Sequence, residues 1–593
     1  MTECYVENYP RPQFVRGQWT DLNGQWDFAF DDADRGDPER WYEDFPSPAL
    51  SIRVPFTFET ELSGIHDETL HPCVWYHRTL PVDANALGDD RLILHFEGSD
   101  FYTRVWVNGR CAGSHRGGYA RFSFDITDLV HDGENSLTVQ VRDDPDVGQP
   151  RGKQRWLGEN YGCWYVQLTG IWKTVWTEQV PKARLEKAKM TPLFDRNELK
   201  IELTAAAPPQ YFGPELSAEV EVRFEGTLLG RVCVSMLTPY QTVTVDMNMY
   251  GKGVPGFAWD MKTWSPAEPN LYDVDLRLRY RGEVIDKVGS YCAMREIRID
   301  GPNILLNGEP LYQRLILDQG YWKKSGLTPP DEAALIRDIE SIQALGFNGV
   351  RKHQKIEDER FLYWCDVKGL LVWSEAPAAY VFTEQAVREF ISEWMEIVEQ
   401  NYDHPCIITW TPFNESWGAG RVKTRRDQQH FTEAVYHLTK SLDPYRPVIV
   451  NDGWEHTVSD ILTLHDYEEK GQVLKDRYVG RKEGILAGTV YHNGFKAALA
   501  DGFAYRGQPV MISEFGGIAF KDSGEGWGYG TMAASEEEFL ERLKGIAAAV
   551  REIPYVCGYC YTQVTDVQQE INGLMDMDRN FKVAPEKIRD IIL

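Results

Sequence analysis

At 593 residues the chain is too long for one hydrophobic core and predicts two to four domains. Its formal net charge of −27, from 63 basic and 90 acidic residues, opposes any phosphate-tracking surface and excludes nucleic acid as a partner. Ten scattered cysteines, no basic-then-apolar leader and no apolar run near the roughly 20 residues of a spanning helix predict a reduced, cytoplasmic protein away from the membrane.

Residues 1–180 read as all-β. Arg91–Phe96, Thr103–Val107 and Ser136–Val141 alternate apolar and polar at period two, and Asn108-Gly109 is a hairpin-turn dipeptide between two such runs. Short strands broken by Gly, Pro and Asp predict a β-sandwich, a jelly roll. Residues 181–297 repeat the pattern on a smaller scale in Leu199–Leu203, Ala218–Phe224, Thr242–Asp246 and Tyr272–Leu278. That length of alternating strands has the size of an immunoglobulin-like sandwich.

From 298 to 593 the period changes. Strand-like runs begin at Tyr312, Gly346, Leu370, Ile407, Val448, Ile461, Val510 and Val556, with helical patterns between most of them. Asp331 to Leu345 is one such helix, with Leu335, Ile339, Ile342 and Leu345 on one face, prolines before it and Gly346 after it. Eight βα units in about 295 residues predict a TIM barrel, whose chemistry sits where strands end and loops begin. Asp318, His353, Glu375, Glu415, His465 and Glu514 fall at those positions.

Two of these ends stand out. Thr409-Trp-Thr-Pro-Phe-Asn-Glu-Ser-Trp417 and Met511-Ile-Ser-Glu-Phe-Gly-Gly517 each deliver a glutamate into a cluster of Asn, Trp, Ser and Gly. Two carboxylates presented from parallel strands of one barrel can flank one glycosidic bond, one as acid and the other as nucleophile. Such a site takes a small glycoside or oligosaccharide as substrate. Cys557-Gly-Tyr-Cys560 has a CxxC spacing but lies in an apolar strand without a second pair, which argues against metal or redox use. A metal-dependent barrel hydrolase would need clustered ligands, and the 13 histidines form no HxH or HExxH motif. A catalytically silent, lectin-like carbohydrate binder is the alternative of a different class.

The chain resembles glycoside hydrolase family 2, the retaining exo-β-glycosidases that include β-galactosidases and β-glucuronidases. Gly170-Ile-Trp172, Trp264-Ser-Pro-Ala-Glu-Pro-Asn-Leu-Tyr272, Leu306-Asn-Gly-Glu-Pro310, Asn401-Tyr-Asp-His-Pro-Cys-Ile407 and Ser513-Glu-Phe-Gly-Gly517 carry the resemblance in this order. It implies that Glu415 is the acid/base, that Glu514 is the nucleophile, and that Asn414 bonds the sugar 2-hydroxyl. Arg351 and His353 either bond sugar hydroxyls or brace the barrel rim. The family's commoner Arg-Thr-Ser-His-Tyr is replaced by Arg351-Lys-His-Gln-Lys355, with the histidine one residue earlier. His465 and Tyr467 resemble a segment that often places a tyrosine beside the nucleophile. Glu375 is a site candidate without a defined role, Trp417 and Trp527 are candidate sugar platforms, and Tyr161-Gly-Cys-Trp164 is a candidate pocket wall.

Family β-glucuronidases grip the uronate with Asn-x-Lys. Asn580-Phe-Lys582 has that spacing but falls inside a segment resembling the family's Asp-Arg-x-Pro-Lys stretch, downstream of the uronate motif. A neutral sugar therefore ranks above a glucuronide, with β-galactoside as the default and a furanoside left open by the altered arginine motif. The large family β-galactosidases also carry further C-terminal domains, whereas this chain stops after the barrel. They use Mg²⁺ near the acid; Glu375 and His353 could contribute ligands, but no clear set of oxygen ligands is legible and no cofactor is expected. The resemblance allows a homo-oligomer.

Overall fold

A computed structural model describes residues 1–250, 252, 261–520 and 526–593. The first 180 residues form two facing antiparallel sheets, one of six strands and one of four. Alternation places Trp26, Phe28, Val74, Tyr76, Leu94, Phe96, Val139 and Val175 in one core between them. The expected hairpin joins Tyr102–Val107 to Arg110–Arg116, with Asn108 and Gly109 both at positive φ (51° and 73°). That is the geometry whose twist matches the flanking strands.

A three-stranded sheet built on Arg184–Leu193, Glu198–Ala206 and Tyr240–Asp246 packs against a four-stranded sheet. The four-stranded sheet runs Thr227–Ser235, Leu216–Phe224, Tyr272–Tyr280, Glu283–Cys292. Leu199, Ile201, Leu203, Val220, Val222, Leu276 and Leu278 fill the space between them.

A short meander, Ile297–Asp300, Asn303–Leu306 and Glu309–Pro310, leads into the parallel barrel. Seven barrel strands form one sheet: Gln313–Asp318, Gly349–Lys352, Leu371–Glu375, Ile407–Thr411, Leu462–His465, Val510–Gly516 and Val556–Thr562. The run expected at Val448–Val450 differs. Its strand is the two residues Asn451–Asp452, paired in parallel with Phe413–Asn414. The Val448 segment instead follows the fourth strand through an isolated bridge to Trp410. No helix separates this segment from the next strand, so residues 453–461 return the chain as a loop. The helix read at Asp331 spans Glu332–Ala344, with Asp331 capping it by accepting from the Ala334 N–H at 2.7 Å.

The first domain closes over the C-terminal face of the barrel. Its 151–172 segment is tied down by the Arg151 N–H donating to the Ala378 carbonyl, Asn160 donating to Gln568 and Gln569, and Thr328 Oγ1 donating to the Trp172 carbonyl. Cavities of about 530 and 570 Å³ lie at other seams, and neither is lined by Glu415 or Glu514. They are packing clefts between layers. Among the described residues, no helix is long and apolar enough to cross a membrane.

Candidate active site

Glu415 leaves the end of the fourth barrel strand in an unusual backbone state. It and Ser416 both have positive φ, 52° and 62°, which costs non-glycine residues about 1–3 kcal/mol each. The turn is held by the Glu415 N–H on the Asp452 carbonyl at 2.9 Å and by the Ser416 N–H on Asn451 Oδ1 at 2.8 Å. This aims the Glu415 carboxylate across the barrel mouth toward the seventh strand.

Glu514 stands there, in register with His465 on the neighbouring strand. One oxygen of Glu415, one of Glu514 and a ring nitrogen of His465 all lie within 4.8 Å of one another. Glu514 Oε1 accepts from Arg351 Nη1 at 2.7 Å, and Oε2 accepts from the Tyr467 hydroxyl at 2.5 Å. Burial alone would push this carboxyl up. His465 and then Arg351 overcome it, with help from the Tyr467 hydroxyl, and hold the group down at about 2. Glu514 is therefore an anion at neutral pH.

The glycine pair after Glu514 has a visible reason. A Cβ on Gly517 would collide with the Tyr529 ring, and one on Gly516 with Tyr561. Their absence lets Tyr467 stack on Tyr529 with centroids 3.4 Å apart, which fixes the hydroxyl on Glu514.

Arg351 is the hub beneath. It is fully buried and donates through Nε to Glu375 at 2.7 Å, through Nη2 to Asn414 Oδ1 at 2.7 Å, and pairs with Asp452 at 3.0 Å. Such a charge tolerates burial because every N–H meets an acceptor. Glu375 has no outlet to solvent. Its other oxygen meets His353 Nδ1 at 2.9 Å and accepts from the Gln354 N–H at 3.1 Å. Burial lifts Glu375 to about 7, against the pull of Arg351. Both oxygens are thus engaged, which leaves it poorly suited as a cation ligand. His353 contacts Arg351 and Glu375, a bracing position, and burial followed by the charges of Lys153 and Arg351 keeps it neutral.

Asn414 accepts from Arg351 on one side while its buried Nδ2 has no partner among the described residues. That donor is open to a substrate acceptor. His465 brings Nδ1 to 2.9 Å from Glu415 Oε1 and 3.5 Å from Glu514 Oε2, while Nε2 lies 3.0 Å from Asp452 Oδ2. Burial opposes charge on the ring, but Glu514 and Asp452 raise it to about 10. An imidazolium donates from both ring nitrogens, which matches the carboxylates of Glu415, Glu514 and Asp452 around it.

Trp417 packs edge-on to Trp164 and Tyr380 at 5.5 and 5.3 Å, forming a partly exposed aromatic wall shared by barrel and first domain. Trp527 donates Nε1 to the Gly162 carbonyl at 3.0 Å and so staples the wall to the barrel. Trp373 belongs to the core, donating to Gln313 at 2.8 Å. Asp318 pairs with Lys352 and accepts from the Gly320 N–H, a rim brace apart from the glutamates.

Three contributors were not singled out from sequence. Asp452 follows the fifth barrel segment, and its strand-end position in Asn451-Asp452-Gly453 was the available signal. Glu570, buried on the loop after the last strand, accepts from Tyr165 and Asn572. Lys153 descends from the first domain. It is 8% exposed, and its amine donates to Cys163 Sγ at 3.3 Å. No local pattern announces a lysine that reaches the site across a domain seam.

The match to known proteins decides the family. Residues 19–176 match the glycosyl hydrolases family 2 sugar binding domain, and residues 297–592 match the family's TIM barrel domain. The chain belongs to glycoside hydrolase family 2.

Within the family, a β-galactosidase from Thermoanaerobacter pseudethanolicus is 26% identical over 75% of this chain and 56% of its own length. A β-glucuronidase from Paenibacillus borealis is 22% identical over 86% of this chain and 85% of its own. The chain spans about half the length of the first curated relatives it matches. The solved β-glucuronidase of Ruminococcus gnavus superimposes with a TM-score of 0.79 at 18% identity, covering 99% of this chain and 100% of that one. A family 2 β-galacturonidase from Eisenbergiella tayi does so with a TM-score of 0.74 at 20% identity, covering 98% of each chain. At these identities the structural likeness speaks to fold.

Proposed function

We propose that this chain is a retaining exo-β-glycosidase that removes a terminal neutral sugar, β-galactoside-type by preference, through a covalent glycosyl-enzyme. The observation that carries the reading is the approach of Glu415 and Glu514 to within 4.8 Å. One oxygen of each carboxylate meets that bound, which suits the narrow gap of a double displacement better than the wider one of an inverting mechanism. Glu514, held ionised, attacks the anomeric carbon; Glu415 protonates the departing oxygen. Once Glu514 is an ester its negative charge is gone, and Glu415 deprotonates the incoming water. Asn414 Nδ2 is the donor for the 2-hydroxyl. The first-domain wall, tied to the loop bearing Gln568 and Gln569, closes one end of the pocket and favours a chain end over an internal linkage.

A neutral glycone is supported by the fate of the Asn580–Lys582 segment. Lys582 donates to Asp566 at 2.6 Å and to the Ile571 carbonyl at 3.0 Å, and Asn580 donates to Asp576 at 3.0 Å. Both are engaged within their own loop. The carboxylate of Glu570 nearby would also repel a uronate. One observation favours a uronide instead: the Lys153 amine has no oxygen acceptor in hydrogen-bond reach among the described residues, and Cys163, Tyr380, Glu415 and Glu570 favour its charge against the cost of burial.

A panel of aryl β-glycosides tests this, comparing galactopyranoside, glucoside, mannoside, glucuronide, galactofuranoside and α-L-arabinofuranoside. Turnover with retention of configuration, and labelling of Glu514 by a 2-deoxy-2-fluoro glycosyl fluoride, is the expected result. A glucuronide-only response overturns the neutral glycone. Inversion, or label on another residue, overturns the mechanism.

A further inference from the structure

We infer that the proton Glu415 delivers to the leaving group is held in its hydrogen bond to His465, so that His465 is a positioning residue for the acid half of the reaction. This rests on the role proposed above for Glu415.

The geometry leaves the ring no other use. Among the described residues, the polar partners of Nδ1 are carboxylate oxygens, Glu415 at 2.9 Å and Glu514 at 3.5 Å, and that of Nε2 is Asp452 at 3.0 Å. A neutral imidazole would set a lone pair against a carboxylate, unless that carboxyl were protonated. Either arrangement places one mobile proton in the 2.9 Å contact between His465 Nδ1 and Glu415 Oε1.

The ring is also held in place. Its backbone N–H donates to the Gly453 carbonyl at 3.2 Å, and a Cβ on Gly453 would come within 2.6 Å of Nδ1. Trp454 covers one side with its ring 5.5 Å away. Asp452 is itself anchored by Ser513 Oγ at 2.7 Å and by Arg351 at 3.0 Å. The charged and titratable groups facing His465 are Glu415 from the fourth strand end, Asp452 from the fifth and Glu514 from the seventh. Arg351 and His353 face it from the second strand, and His456 and His492 from the flanking loops. Burial keeps His456 and His492 neutral, at about 4 and about 3. The anions therefore dominate, and the ring stays protonated at neutral pH.

The proton count closes over the cycle. In the first half-reaction the mobile proton passes through Glu415 to the glycosidic oxygen. The bond from C1 to that oxygen breaks, and an oxygen of Glu514 bonds to C1. Glu415 is left as carboxylate and His465 as neutral imidazole, protonated on Nε2 against Asp452. In the second half-reaction water bonds to C1, the ester bond breaks, and the proton that water loses to Glu415 returns to the shared site.

The test compares His465→Gln, which keeps an N–H but cannot release a proton, with wild type on a leaving-group series. The series runs from 2,4-dinitrophenyl to methyl glycosides of one sugar, read as kcat/KM. The methyl glycoside is expected to lose about 10²- to 10⁴-fold and the dinitrophenyl glycoside less than about 10-fold, because only the poor leaving group needs the proton. The alkaline limb of kcat/KM moves to lower pH. A loss of equal size across the series, or no loss, overturns the inference, since a merely structural role depresses every substrate alike. If His465→Gln does not fold, Asp452→Asn, which removes the carboxylate from Nε2, must give the same leaving-group pattern; a uniform loss there also overturns it. Glu415→Gln separates the two levels. A steep dependence there beside a flat one for His465→Gln sinks this inference alone, whereas a flat response in Glu415→Gln sinks the proposed acid and this inference with it.

Discussion

Truncating Asn414 to alanine isolates one hydrogen bond in the proposed transition state. Asn414 Nδ2 is buried and has no protein acceptor among the described residues, so no protein group competes with substrate for it. A hydroxyl that accepts from it restores the full bond, and an oxocarbenium-like transition state tightens that contact. The donor then contributes about 1.5–3 kcal/mol, or roughly 10- to 150-fold in kcat/KM. The mutation also strips Arg351 Nη2 of its 2.7 Å acceptor, a disturbance that all substrates feel equally. Measuring kcat/KM for wild type and Asn414→Ala, each on a parent aryl glycoside and on its 2-deoxy analogue, cancels that shared term. The coupling energy should fall in the stated range. A coupling below about 0.5 kcal/mol would refute the assignment of Nδ2 to the 2-hydroxyl.

The remaining expectations follow from neighbouring residues. Glu514 sits at about 2, below its ordinary 4.5, so its ionic contacts stabilise the fold fully above about pH 4.5 and lose that contribution as pH falls through 2. Arg351→Gln removes one of the charges that depress it, and the acid limb of kcat/KM should move upward by about a unit or more; an unmoved limb would show that Arg351 does not set the ionisation. Lys582→Met should lower stability without changing the ratio of galactoside to glucuronide turnover, because its amine is held by Asp566 and Ile571. A collapse of glucuronide turnover alone would mean that it reaches substrate. Trp373→Ala opens a cavity at a fully buried ring and frees the Gln313 acceptor, so denaturant titration should show the barrel destabilised by about 3–5 kcal/mol.

Much of the architecture was legible in periodicity. Alternation at period two marked the sandwich strands, and the Asn108-Gly109 turn fell where its dipeptide requires positive φ. The fifth barrel segment was misjudged in length because Val448–Val450 is apolar for burial but follows the fourth strand only by an isolated bridge. Apolarity reports burial, while strand length depends on how many neighbours pair along it.

At the site, the sequence by itself determined which residues close the fourth and seventh strands, and hence which two glutamates stand at the barrel mouth. A strand end is a local property, set by alternation and by the glycines and aromatics that follow. What only tertiary structure decided is how those carboxylates are charged and aimed. Arg351 gathers partners from four strands, His465 meets three carboxylates, Asp452 joins both, and Lys153 arrives from another domain. These contacts join residues far apart in the chain, and barrel closure with the left-handed turn at Glu415–Ser416 sets the angstroms between them. Electrostatic effects depend on such distances and on burial, and neither is written in the spacing of residues along the chain.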